Sequence, residues 1–152
     1  MAIVSGKSNL VSDPSDTDYA PADPQVIRGR PVYATGTVSN LASDNNTSKY
    51  KLVEIPSSAL LLPDTFFDVE NWGFAQVVIG TETDTDALVD VLKSAGAIHV
   101  PVAQGDANHG VAFWQILGLA KDPQTKIALW AHAEADATGA GSMPFQIAYL
   151  TH

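Results

Sequence analysis

The sharpest hydrophobic pattern in the chain is KIALWAHAEAD, Lys126 to Asp136. Ile127, Leu129, Ala131, Ala133 and Ala135 recur every second residue. Lys126, Trp130, His132, Glu134 and Asp136 fill the alternate face, apart from Ala128. A strand of an antiparallel sheet with one face in the core and one towards solvent gives this alternation. Similar short runs predict strands in PVYATGTVS (Pro31–Ser39), YKLVEI (Tyr50–Ile55), FAQVVIG (Phe74–Gly80), AIHVPV (Ala97–Val102), VAFWQILGLA (Val111–Ala120) and PFQIAYLTH (Pro144–His152). ALLLPDTFFDV (Ala59–Val69) is apolar but broken by Pro63, which predicts an edge strand or two short ones. LASDNNTS (Leu41–Ser48) has the composition of a loop.

TDTDALVDVLKSAG, Thr83 to Gly96, departs from the two-residue period. Leu88, Val91, Leu92 and Ala95 stand at helical spacing, Thr83 and Asp86 resemble a capping box, and Gly96 suits a helix end. The pattern predicts one short helix over 83–96. Some eight strands with one helix predict a mainly all-β fold of β-sandwich or jelly-roll type over residues 31–152.

Residues 1–30 read differently. SDPSDTDYAPADPQ (Ser12–Gln25) carries prolines and aspartates with neither period, which predicts an extended N-terminal arm or a disordered tail. Ile3, Val4, Leu10, Val11 and Tyr19 are its sparse apolar anchors and candidate interface residues. Ordering one backbone residue costs about 1–2 kcal/mol. So few anchors point to a neighbouring subunit as the surface that would hold such an arm.

Charge narrows the function. Eight basic and seventeen acidic residues give a net charge of −9. That argues against nucleic acid and anionic membrane as partners, both of which select clustered lysine and arginine. The absence of cysteine excludes disulfides and thiolate metal sites. MAIVSGKSNL has no apolar run of secretion-signal length, so the expected place of synthesis is the cytoplasm, without export.

Each candidate for chemistry has a structural alternative. In FFDVENWGFAQVVIG, Asp68, Glu70 and Asn71 mark either the rim of a site or a turn between two strands; Asn71 and Gly73 favour the turn. His132, Glu134 and Asp136 share a strand face, but successive same-face residues lie about 7 Å apart, a ridge unsuited to one metal. GDANHG (Gly105–Gly110) has a functional loop's composition and equally that of a tight turn. ATGAGS (Ala137–Ser142) precedes a strand and so lacks the helix N-terminus of a phosphate cradle. Neither a catalytic residue, nor a cofactor, nor a metal is expected, and the chain reads as a non-enzyme. Trp130, with His132 beside it on the polar face, is either an interface anchor or covered by a second layer of the same chain.

SKYKLVEIPSSALLL, followed by FFDVENWGFAQVVIGTETDTDALVDVLKSAG and closed by ATGAGSMPFQIAYLTH, resembles small virion structural proteins of tailed bacteriophages. These are similar to capsid decoration or cement proteins, and the resemblance spans roughly Lys49 to His152. It implies hairpins in the central and closing segments and a β-sandwich. It further implies a homotrimer, binding to the assembled major capsid protein, and location in the virion. The alternative function is a carbohydrate- or receptor-binding jelly-roll module of a phage tail appendage.

Overall fold

The structure, a computed structural model, describes residues 2–4, 6–8, 10, 11, 15, 24, 25 and 29–151. The strands are β1 (Arg30–Asn40), β2 (Lys49–Pro56), β3 (Leu60–Leu61), β4 (Phe66–Asp68), β5 (Gln76–Gly80), β6 (Val89–Leu92), β7 (Ile98–His99), β8 (Lys126–His132) and β9 (Gly141–Thr151). A single turn of 3-10 helix covers Lys93–Ala95, and a short helix, α1, covers Phe113–Ile116. One antiparallel sheet runs β1-β9-β4-β7, with β3 also pairing β9; the other runs β2-β8-β5-β6. The expected all-β sandwich is what the chain forms.

The long β1–β9 ladder sets the first sheet. Its register pairs Val32 with Tyr149, Ala34 with Ile147, Gly36 with Phe145 and Val38 with Met143. Directly opposed residues share a face, so these four pairs line one side. Met143 and Ile147 are fully buried there. Gly36 leaves room for its partner: a Cβ would stand 3.0 Å from Cζ of Phe145. In the second sheet, β8 presents Leu129 and Ala131 to the core as its alternation requires. Ile55, Phe67, Val69, Val77 and Ile79 complete the buried layer between the sheets.

The corner between β4 and β5 is structural. These strands do not pair; they lie in different sheets, so the Asp68–Gly73 stretch carries the chain from one sheet to the other. The hairpin implied by the phage resemblance is absent here. The closing segment likewise crosses between sheets from β8 to β9. Trp72 turns into the core, 5.5 Å from Tyr50 in an edge-to-face contact and 5.4 Å from Phe74. Buried Asn40 holds the corner: its Oδ1 accepts the Gly73 N–H at 3.1 Å and its Nδ2 donates to Gly139 O at 2.9 Å. A Cβ on Gly73 would lie 2.2 Å from Asn40 Nδ2, so only glycine fits this approach.

Two segments exchange the expected types. Residues 83–96 contain no α-helix; β6 pairs Ile79 with Val89 through Gln76 with Leu92. Val89 is buried while Leu92 is exposed, the reverse of the expected helical face. Thr83 caps nothing; the acid-rich stretch is a turn, with Asp84 N–H donating to Thr81 Oγ1 at 2.9 Å. The free edge of β5 supplies hydrogen-bond partners that outweigh local helical spacing. Conversely, the strand expected over Val111–Ala120 is α1. The Phe113 and Trp114 N–H groups donate to Ala59 O and Ser57 O, and Phe113 and Leu117 enter the core. Gly118, at φ +76°, ends it as a helix-terminal glycine does. β8 also stops at His132, so Glu134 and Asp136 lie in the following loop, where Asp136 accepts the Asn46 N–H at 3.0 Å.

Candidate interaction surfaces

The strand β8 brings Trp130 to the outer face of its sheet, opposite Lys51, with His132 opposite Lys49. Lys49 Nζ lies 5.1 Å and Lys51 Nζ 6.0 Å from the Trp130 ring centroid, within cation–π range. Each lysine also meets an acid: Lys49 pairs with Glu82 at 2.5 Å and Lys51 with Glu54. The Lys49 hydrogen bond, then its charge, holds the Glu82 carboxyl below its ordinary range; Lys51 does the same for Glu54. Among the described residues no second layer covers Trp130: it is half-buried and flanked by these lysines. His132 is buried, and its Nε2–H donates to Thr81 O at 2.8 Å. The two residues paired in the sequence therefore part company: Trp130 reaches the surface and His132 braces the 81–88 loop.

On the arm, Ile3 and Val4 are fully exposed and Leu10 and Val11 are exposed in part. Tyr19 lies outside the described residues. Among the described residues Gln25, absent from the expected anchors, hydrogen-bonds the arm to the body. It is buried, and its side-chain amide donates to Ser58 O at 2.8 Å and Leu150 O at 2.9 Å. A polar residue followed by Gly29, where a Cβ would stand 2.4 Å from Gln25 O, leaves no apolar signal to read. Beside it, Leu10 joins Leu60, Leu61, Leu62 and Leu150 around a groove of about 480 Å³.

The GDANHG loop uses its polar groups on itself. The Asp106 carboxylate accepts the Ala103 and Asn108 N–H groups, each at 2.8 Å, and Gly105 and Gly110 adopt positive φ. Asp68 similarly accepts the Glu70 N–H within its turn. Asp122 accepts the buried Ser57 hydroxyl at 2.5 Å, which lowers its carboxyl pKa. Among the described residues, no three His, Asp or Glu side chains are grouped to hold a metal ion. No helix among them is long and apolar enough to cross a membrane.

A further surface appears where the two sheets end. β6 closes one sheet and β7 the other, and residues of both line a cleft of about 210 Å³. Val100 lines it and is 43% exposed, and Leu92 in β6 and Ile98 in β7 are exposed at 57% and 52%. Nε2 of His99, a residue lining the cleft, is buried and has no hydrogen-bond partner among the described residues. Next to it, Leu92, Glu70 and Lys93 help line a shallow groove of about 530 Å³. The sequence hid this rim because the helical reading of 83–96 turned Leu92 inward. In comparisons with protein families, curated proteins and solved structures, nothing matches this chain.

Proposed function

We propose that the protein is a non-enzymatic capsid decoration or cement protein of a tailed bacteriophage. It is made in the host cytoplasm and ends in the virion. There it acts as a homotrimer that binds the assembled major capsid protein and bridges neighbouring capsomers. The supporting observation is the distribution of exposed apolar side chains on an acidic body. One set, Ile3, Val4, Leu10 and Val11, rides on the arm; another, Leu92, Ile98 and Val100, lies at the strand ends of the sandwich. Two contact sets on one chain engage two neighbours, and the second contact gains from the effective concentration created by the first. A ligand that binds only the assembled shell stabilises it by mass action. Phage shells melted by calorimetry with and without this protein test the reading. A raised shell melting temperature in its presence is expected; identical melting profiles refute it.

A further inference from the structure

The rim formed by β6 and β7 combines three features of an unfinished surface. First, each strand has one partner: β6 pairs only with β5 and β7 only with β4 among the described residues. Their outer edges present backbone groups that an added strand can pair, a recurrent mode of peptide recognition. Second, Val100 of the cleft lining has its side chain exposed, and so do Leu92 in β6 and Ile98 in β7. Third, the buried Nε2 of cleft-lining His99 lacks a partner. A buried polar atom left unpaired is costly, and an incoming chain can satisfy it. The other open edge is unlike this one. β1 adjoins β2 and exposes mainly polar Thr35, Thr37 and Ser39 beside Tyr33.

The first eleven residues have the complementary properties. Ala2, Ile3 and Val4 form a short apolar run in which Ile3 and Val4 are β-branched and are exposed at 105% and 81%. This stretch contains Lys7 and no acid, in a chain with seventeen acids against eight bases. At the rim stand Asp90 and Glu70; Lys93 there is already engaged, donating from Nζ to Trp72 O at 2.7 Å. The arm of the same molecule is held elsewhere: Gln25 binds Leu150 O and Ser58 O, and Leu10 lies in the leucine groove beside them. With Leu10 seated in that groove, the chain back to Val4 reaches at most about 20 Å, so the receiving copy is one packed directly beside it.

We propose that the β6–β7 rim takes the Ala2–Val4 segment of a second copy of this chain as an added strand, with Lys7 of that copy beside the rim acids. Ile3 and Val4 then cover Leu92, Ile98 and Val100, and a polar group of the incoming backbone meets His99 Nε2. Exchange of an identical segment joins copies without a new surface on either. The inference rests on the homotrimer of the proposed function and names its contact; because self-association is measured with no shell present, its failure is distinguishable from a failure of shell binding.

Sedimentation equilibrium of the full chain tests it, alongside two double variants with surface substitutions, I3D/V4D in the arm and I98D/V100D in the rim. The parent chain associates in a concentration-dependent manner. Each variant alone associates at least about tenfold more weakly, since losing the burial of one or two aliphatic side chains is worth that much or more. An equimolar mixture recovers a 1:1 complex, because one variant keeps an intact rim and the other an intact arm. A synthetic peptide of residues 2–11 provides a measurement that needs no rim variant: it binds the I3D/V4D chain and shifts the His99 imidazole ¹⁵N resonances. A parent chain that stays monomeric, variants that associate as tightly as the parent, a mixture that stays monomeric, or a peptide that leaves His99 unmoved each overturns the proposal.

Discussion

Replacing Thr65 by valine isolates one hydrogen-bonding device in the first sheet. Strand β9 receives β3 at Tyr149 and Leu150 and β4 at Phe145 and Gln146, which leaves Ala148 between them. The carbonyl of Ala148 accepts the Leu62 N–H at 2.8 Å. The Thr65 hydroxyl supplies the rest: it donates to Ala148 O at 2.9 Å and accepts the Ala148 N–H at 3.0 Å. Thr65 and Ala148 are both fully buried. In Thr65→Val the shape is kept, Ala148 O retains Leu62, and the Ala148 N–H is orphaned. One unsatisfied buried donor costs about 1–3 kcal/mol. For a chain of this size that lowers Tm by about 3–10 °C. Urea unfolding followed by circular dichroism gives the free energy, and Thr65→Ser, which keeps the hydroxyl, is the control. The reasoning fails if Thr65→Val matches the parent in stability, or if Thr65→Ser loses as much as Thr65→Val.

The remaining predictions concern the crossing corner and its aromatic cluster. Gly73→Ala places a Cβ against Asn40 Nδ2, Asn40 Oδ1 and Gly139 O, all closer than 2.5 Å, so the corner must open and stability falls by about 2–4 kcal/mol in the same urea assay. Tyr50 is pushed up to about 12, first by burial and then by its hydrogen bond to Asp44. Its folded pKa exceeds the unfolded value of 10.0, so its stabilisation is intact below pH 10 and lost as pH rises through about 12. Absorbance at 295 nm follows this as a late tyrosinate step that Tyr50→Phe removes. The partner shifts oppositely: the Tyr50 hydroxyl holds Asp44 below 3.8, so its contribution is present above that pH and lost as acid protonates it. Asp44→Asn therefore flattens the acid limb of the stability profile.

Much of the sandwich was legible in the residues. Alternation in Lys126–His132 located β8 and its buried Leu129 and Ala131, because a two-residue period is a property of the strand itself. Pro63 correctly divided Ala59–Val69 into β3 and β4. Helix α1 carries a weak signal of its own inside an apolar run of strand length: Phe113, Ile116 and Leu117 stand at helical spacing before Gly118. The candidate surface was legible only in part. Ile3, Val4, Leu10 and Val11 stood out as apolar residues in a polar arm, and they are exposed. Trp130 and His132 shared one alternating face, yet only the return of the 81–88 loop separates the half-buried indole from the buried imidazole.

The order of residues alone thus fixed which short segments are extended, where prolines and glycines interrupt them, and the acidic character of the whole. It left open which segments pair. Val89–Leu92 carries both helical and strand spacing, and the choice falls to the vacant edge of β5, a partner ten or more residues away. The separation of β4 from β5 rests on contacts from Asn40 and Gly139, distant in the chain. The exposed rim of Leu92, Ile98 and Val100 follows from both choices together. Local periodicity reports the shape of a few residues, whereas hydrogen bonds and close packing between remote segments select among the shapes those residues can take.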